Sequence, residues 1–285
     1  MNRLTPERRA AIIHALCEGQ SVNGTARITG TSKVTILKLL AKIGELCLSY
    51  QRETLVNLPC QQLQVDEIWG FVHCKESCVP RDEKGRGKGD VWVWMAIDAE
   101  TKLVPCWHIG ARDADAARYF MEDLASRLVN RVQITSDGLR AYLSAVEGAF
   151  GWDGVDYAML VKLYSEAIEG RRRYSPPEVV GTEKHWILGR PEARHVSTSY
   201  AERQNLTMRM NIRRLTRLTN GHSKKIENHG HAVALHYMYY NFCRSHETLT
   251  KRAGGIHRTP AMAAGVADHV WKVSEIVDLL TAAEG

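Results

Sequence analysis

The chain has 285 residues, enough for a full hydrophobic core with a small accessory unit beside it. An apolar fraction of 44% and a charged fraction of 25% exclude an intrinsically disordered protein. No apolar run reaches membrane-spanning length, Met1-Asn2-Arg3 leads into a helix and not a signal peptide, and seven scattered cysteines fit reduced thiols better than a disulfide framework. A cytoplasmic location is expected. The net charge of +6 is modest, but seven Lys/Arg against two acids lie between Ala201 and His231, which suggests a phosphate-rich partner.

Residues 4 to about 48 predict three short helices. Thr5 is an N-cap with Pro6 at the first helical position, and Gly19 is the stop. Ser21 caps a helix over 22–29 that ends at Gly30. Thr31 or Ser32 caps a third helix, with Val34, Ile36, Leu37, Leu40 and Ile43 as its apolar positions. A small residue inside the second helix, Gly30 at the turn and a polar-fronted third helix give helix-turn-helix spacing, with Thr31, Ser32, Lys33 and Thr35 facing a DNA major groove. A three-helix packing module without DNA contact is the alternative.

Gln51 to Gln62 reads as a linker, dividing the chain into a helix-turn-helix domain (1–50), the linker (51–62), a larger domain (63–265) and a C-terminal helix or tail (266–285). Three strands follow the linker, over 63–74, 91–98 and 103–110. Glu76 to Asp90 is a mobile basic hairpin tip, and Asp98 to Thr101 a tight turn. Asp113 caps a helix whose Ala117, Phe120, Met121, Leu124 and Leu128 form one apolar stripe. A fourth strand ends at Asp137, a helix covers 139–150, and Tyr157, Met159, Val161 and Leu163 alternate as a fifth strand. Arg171-Arg172-Arg173 and Pro176-Pro177 mark a mobile loop reaching to about Ser199. Helices from Ala201 to Leu218 and from about Ser223 to His246 close the domain, and one from Val270 to Leu280 packs outside. The order βββαβαβαα is that of a ribonuclease-H-like fold: an α/β domain with a mixed five-stranded sheet flanked by helices, here preceded by a small all-α helix-turn-helix domain.

In that fold the first and fourth strands are parallel neighbours, so Asp66 and Asp137 come together, and Glu202 comes across from its helix. Three carboxylates in one hollow repel one another unless divalent cations sit between them. Mg²⁺, two per active site and replaceable by Mn²⁺, suits such oxygen ligands and phosphoryl transfer. Asn205, Arg209 and Arg213 follow Glu202 at three, seven and eleven residues, on one predicted helical face that would meet phosphate. Each acid taken alone reads as solvated or salt-bridged; the joint pattern points to a site. Glu67 is expected on the opposite sheet face as a structural partner.

Gln64-Val65-Asp66-Glu67-Ile68-Trp69-Gly70-Phe71-Val72, Thr135-Ser136-Asp137-Gly138 and Ser199 to Arg209 resemble the three sequence blocks of DDE transposases of the IS1 type. Arg214 to Asn220, Asn228 to Leu235, Tyr240 to Cys243 and Thr259 to Gly265 extend the resemblance, which covers about residues 20 to 265. It implies a ribonuclease-H-like core, Asp66, Asp137 and Glu202 as metal ligands, and recognition of an element's terminal inverted repeats. Double-stranded DNA would be the partner, contacted by the third helix and by Arg203, Asn205, Arg209, Arg213, Arg214 and Arg217. Two ends cut together imply a homodimer or higher oligomer on DNA, with the protein on the bacterial nucleoid. Other members of that family carry a cysteine-rich zinc finger ahead of the helix-turn-helix. This chain begins at the helix-turn-helix with only Cys17 nearby, so end recognition is expected to rest on fewer contacts.

Weaker clusters read differently. His73, Cys74 and Cys78 lack a second pair at zinc spacing, and His222, His229, His231 and His236 fit a helix packed near DNA. Trp92, Trp94 and Trp107 read as core aromatics. Three rival functions stay open: a metal-dependent nuclease or resolvase of the same fold, a domesticated DNA-binding regulator, and a glycoside hydrolase using paired carboxylates.

Overall fold

The computed structural model describes residues 4–165 and 178–284. It opens with three helices, α1 (Pro6–Cys17), α2 (Val22–Thr29) and α3 (Lys33–Thr54). Each begins where a hydroxyl accepts an orphan backbone N–H: Thr5 from Arg8, Ser21 from Gly24 and Ser32 from Thr35. Gly30 ends α2 in the left-handed region at φ 62°, a conformation that costs glycine little. The third helix is longer than its sequence pattern suggests and runs for 22 residues into the stretch read as a linker. The rest of that stretch is packed: Leu55, Leu58 and Cys60 are buried, and Arg127 Nη1 donates to the Gln51 and Leu55 carbonyls at 3.4 and 3.0 Å.

The strands are β1 (Gln62–Val72), β2 (Gly89–Asp98), β3 (Trp107–Gly110), β4 (Val132–Ser136), β5 (Val155–Tyr164) and β6 (Val179–Leu188). They form one mixed sheet in the order β3-β2-β1-β4-β5-β6. The pairs β1/β4 and β4/β5 are parallel and the others antiparallel. The expected five-stranded sheet is thus corrected to six strands. The added strand comes from the stretch read as a loop. It lies at the sheet edge with Leu188 its one buried residue, so it lacks the apolar alternation by which a half-buried strand is recognised. The segment Arg171-Arg172-Arg173 to Pro176-Pro177 lies outside the described residues.

Two helices, α4 (Ala114–Ser126) and α5 (Ala141–Phe150), cover one sheet face, where Trp94 packs on Phe120 and Tyr142. The other face carries α6 (Ser199–Asn211) and α7 (Ile226–Met238), with Ile68, Val93, Met95 and Ile97 buried against Ala201, Met208, Val233 and Tyr237. The mixed α/β architecture is therefore a sheet between helical layers. A π turn (Tyr239–Cys243) continues α7, followed by α8 (Glu247–Arg252), α9 (Pro260–Ala263) and α10 (Val273–Glu284). The last helix packs on α1 and α3, and Glu284 pairs with Arg9 and Lys42 at 3.2 and 3.0 Å.

The three N-terminal helices share the core of the sheet domain. Where α3 crosses α7, a Cβ on Gly44 would stand 2.5 Å from His231 Cβ, so the helix backbones approach as only glycine permits. Gln51 Nε2 donates to the Ala234 carbonyl at 3.0 Å in the same interface. No helix among the described residues is long and apolar enough to cross a membrane.

Candidate functional site

Sheet register brings the first two acids together. Parallel pairing sets Gln64 of β1 against Thr135 of β4. Two residues further along each chain stand Asp66 and Asp137, at the same height and with the same parity. Asp137 lies just beyond β4, where its Oδ1 accepts from Leu139 N at 2.9 Å and turns the chain toward α5. Asp66 Oδ1 accepts from Glu67 N, and its Oδ2 from Asn205 Nδ2, each at 2.8 Å. Burial, reinforced by the charges of Glu67 and Asp137, pushes the Asp66 carboxyl up to about 7.

Glu67 points to the opposite sheet face, as alternation requires, and its Oε2 accepts from Tyr142 OH of α5 at 3.0 Å. Even so, Asp66, Glu67 and Asp137 have ligand oxygens within 4.8 Å of one another. The reason is that β4 stops at Ser136, so no strand separates the two faces beside Glu67. Arg112 occupies that gap, 2.7 Å from Glu67 Oε1 and 4.0 Å from Asp137 Oδ2. Burial and the nearby Asp137 raise the Glu67 carboxyl, opposed by Arg112 and Tyr142.

Glu202, in the first turn of α6, stands outside that three-carboxylate group but lines the same cleft. The cleft holds about 740 Å³ and is walled by Asp66, Asp137, Glu202, Arg112, Lys162 and Thr198 among others. Glu202 Oε1 accepts from Thr198 Oγ1 at 2.6 Å and from Lys162 Nζ at 2.5 Å. Ser197 Oγ accepts from Ser199 N at 3.2 Å, but Thr198, whose hydroxyl donates to Glu202, makes no cap hydrogen bond to α6. Gln64, buried on β1, supplies one instead: its Oε1 accepts from Tyr200 N at 2.7 Å and Ala201 N at 3.2 Å. The helix bearing Glu202 is thereby keyed to the strand bearing Asp66.

The basic residues divide into two sets. The helix expected to reach Leu218 ends at Asn211, where Ile212 turns extended at φ −105° and ψ 99°. Arg213 therefore does not share a helical face with Glu202, Asn205 and Arg209, which corrects that expectation. Arg209 Nη1 donates to the Leu215 carbonyl at 3.1 Å, and burial, with Arg217 nearby, lowers its pKa to about 10. Arg214 is likewise lowered to about 10 by burial and donates to Ser223 Oγ at 3.3 Å. These two arginines brace the connection between α6 and α7, whereas Arg203, Arg213 and Arg217 are exposed.

At the front of α3, Thr31 is buried and its hydroxyl accepts from Arg8 Nε at 3.3 Å. Ser32 is the cap, Lys33 is exposed and Thr35 is half-buried. His229 is buried with Nδ1 2.9 Å from Ser223 Oγ, and burial lowers its pKa to about 4. It lines no wall of the acidic cleft. Trp94 is a core residue, as expected, while Trp92 lies under the Arg112 guanidinium at 4.9 Å. Gln64, Arg112, Tyr142, Lys162 and Thr198 are the site residues that sequence reasoning missed. Only the adjacency of Gln64 and Thr198 to the acidic blocks offered a signal.

Comparison with protein-family models and with curated proteins finds no match. Among solved structures, the cryo-EM structure of the piggyBac transposase synaptic complex with hairpin DNA aligns with a TM-score of 0.48 at 8% identity, over 99% of this chain and 74% of that one.

Proposed function

We propose that this chain is a metal-dependent DNA transposase of the DDE kind, built on a ribonuclease-H-like core of the IS1 type, with Asp66, Asp137 and Glu202 as its catalytic acids. The convergence of these three carboxylates on one cleft, from β1, the end of β4 and the start of α6, carries the reading. The donor set fits hard divalent cations. Four carboxylates, counting Glu67, meet two cations, Arg112 and Lys162, and the excess negative charge adds to burial in lifting the Asp66 carboxyl. Asp66, Asp137 and Glu202 would hold two Mg²⁺, with Mn²⁺ able to replace them. Bound there, the metal would supply the charge that activates a water or a 3′-hydroxyl and stabilises the leaving oxygen.

The chain's own residues do the rest. Asn205 fixes the Asp66 carboxylate, and Thr198 with Lys162 aims Glu202. Arg112 holds Glu67 behind the site and keeps a positive charge beside Asp137. Arg203, Arg213 and Arg217 lie exposed and offer salt-sensitive phosphate contacts. The front of α3, with Ser32, Lys33 and Thr35, meets the element end as a helix-turn-helix reader, and two copies act together on paired ends. The test is to incubate the full chain with labelled DNA carrying candidate terminal repeats in Mg²⁺ or Mn²⁺. Joined products are expected. Nicks alone would make it a nuclease, and a mobility shift without cutting a regulator; either result overturns strand transfer.

A further inference from the structure

We infer that Arg112 is a further catalytic residue, donating to a non-bridging oxygen of the scissile phosphate; the inference rests on the function proposed above. Arg112 follows β3 and lines the acidic cleft together with Asp66, Asp137 and Glu202. Two neighbours fix its guanidinium. Nε and Nη2 both stand 2.7 Å from Glu67 Oε1, and the group lies over the Trp92 ring at 4.9 Å. Glu67 is held in turn by Tyr142 OH at 3.0 Å.

Neutralising Glu67 does not account for this placement. The Glu67 side chain is 1% exposed, whereas that of Arg112 is 41% exposed. Nη1 has no hydrogen-bond partner among the described residues, and Nη2 lies 4.0 Å from Asp137 Oδ2. A positive charge so close to Asp137 opposes a metal ion on that carboxylate. An arginine confined to the buried side of Glu67 would neutralise the acid without the conflict. A phosphodiester entering the cleft resolves it, because its negative charge comes between the metal ions and the guanidinium.

Two other cations line the cleft. Lys162 is committed to Glu202 at 2.5 Å, and Arg140 makes no side-chain hydrogen bond among the described residues. Of the three, Arg112 is the one both held in place and open to a ligand. As an attacking oxygen closes on phosphorus, negative charge gathers on the non-bridging oxygens. A guanidinium fixed beforehand stabilises that charge with no reorganisation. Glu67 and Trp92 are then positioning residues for Arg112, and Tyr142 for Glu67.

Removing Arg112 alone would orphan the buried Glu67 carboxylate, so the test is made on Glu67→Gln, whose amide can accept from Arg112 and donate to Tyr142 OH. Glu67→Gln is compared with Glu67→Gln/Arg112→Gln, and circular dichroism melts check that both fold. Binding to a fluorescein-labelled duplex ending in a candidate terminal repeat is followed by anisotropy in Ca²⁺ over a series of KCl concentrations. Cleavage of the same duplex is followed in Mg²⁺. In the double variant the slope of log Kd against log[KCl] should be shallower by about 0.9, the signature of one lost phosphate contact. Cleavage should fall by about 100-fold or more.

An unchanged slope overturns the phosphate contact and leaves Arg112 as the partner of Glu67. A shallower slope with undiminished cleavage overturns the catalytic role. The slope is read without turnover, so it decides the contact even in a chain that binds DNA and does not cut it. If the wild type cuts DNA and the two variants behave alike, this inference falls and the proposed function stands. A wild type that binds no duplex overturns both.

Discussion

Removing one charge from the acidic cleft should make the metal-free protein more stable. Asp66→Asn keeps the shape of the side chain, and its oxygen can still accept from Glu67 N. Asn205 Oδ1 has no partner among the described residues, so turning that amide over lets it accept from the new side chain. The sign follows from where the proton sits. Burial and neighbouring acids raise the native Asp66 carboxyl from 3.8 to about 7, so the native state binds more protons than the unfolded chain across that interval. Stability is then fully present below the unfolded value and is lost as pH rises through about 7. At about 1.4 kcal/mol per pH unit the whole effect is at most about 4 kcal/mol, of which about 2–3 kcal/mol falls between about pH 5 and about pH 8. Urea denaturation of metal-stripped protein at those two pH values measures it. The wild-type chain should lose about that much stability on going to the higher pH, and Asp66→Asn markedly less. The raised carboxyl of Glu67 has the same sign and leaves a residual slope in the variant. Added Mg²⁺ should restore the wild type at the higher pH more than the variant. A variant whose stability falls with pH as steeply as that of the wild type would refute the argument.

Asp137→Asn should abolish DNA cleavage in Mg²⁺ while leaving duplex binding by anisotropy within about twofold, since the Leu139 contact that shapes the turn survives. Gln64→Leu strips α6 of its cap and leaves the buried Ala201 N–H unpaired, a cost of about 2–4 kcal/mol by denaturant titration, together with weaker metal binding by calorimetry. Gly44→Ala forces apart α3 and α7, where the added carbon would meet His231 Cα at 2.6 Å, and should cost about 1–3 kcal/mol in thermal melts. Tyr142→Phe leaves Glu67 with one fewer donor in a dry pocket and should destabilise the chain by about 1–3 kcal/mol once Glu67 is ionised, with little effect when it is protonated.

Local chemistry made most of the elements legible. Thr5, Ser21 and Ser32 announced three helix starts because their hydroxyls have no better use than the orphan N–H groups behind them. Asp66 and Asp137 could be paired from sequence because parallel register is an arithmetic of residue positions. Edge strand β6 was hidden by its solvation, and the end of α6 at Asn211 by the lack of any glycine or proline to mark it. The surroundings of the site were hidden for a different reason. Arg112 meets Glu67 across 45 positions, and Lys162 meets Glu202 across 40, so no local pattern encodes either pair. Glu67 was assigned to the far face correctly. Its nearness to Asp66 and Asp137 depends on how short β4 is, and that is a property of the assembled sheet.

The unbroken course of α3 has a consequence for any duplex the protein handles. From Lys33 to Thr54 the helix is a stiff rod of about 33 Å, close to one helical repeat of B-form DNA, about 34–36 Å or 10 base pairs. One end carries Ser32, Lys33 and Thr35, the side chains proposed to meet the groove, and the other is clamped to the body that holds the acids. A ruler of that kind measures in fixed increments and also sets rotational phase. Inserting about five base pairs between the recognised sequence and the scissile bond would turn the phosphate to the far side of the double helix, beyond reach, whereas about ten would restore the phase at the wrong distance. Spacing at the ends of a substrate should therefore tolerate almost no drift, even where its sequence does.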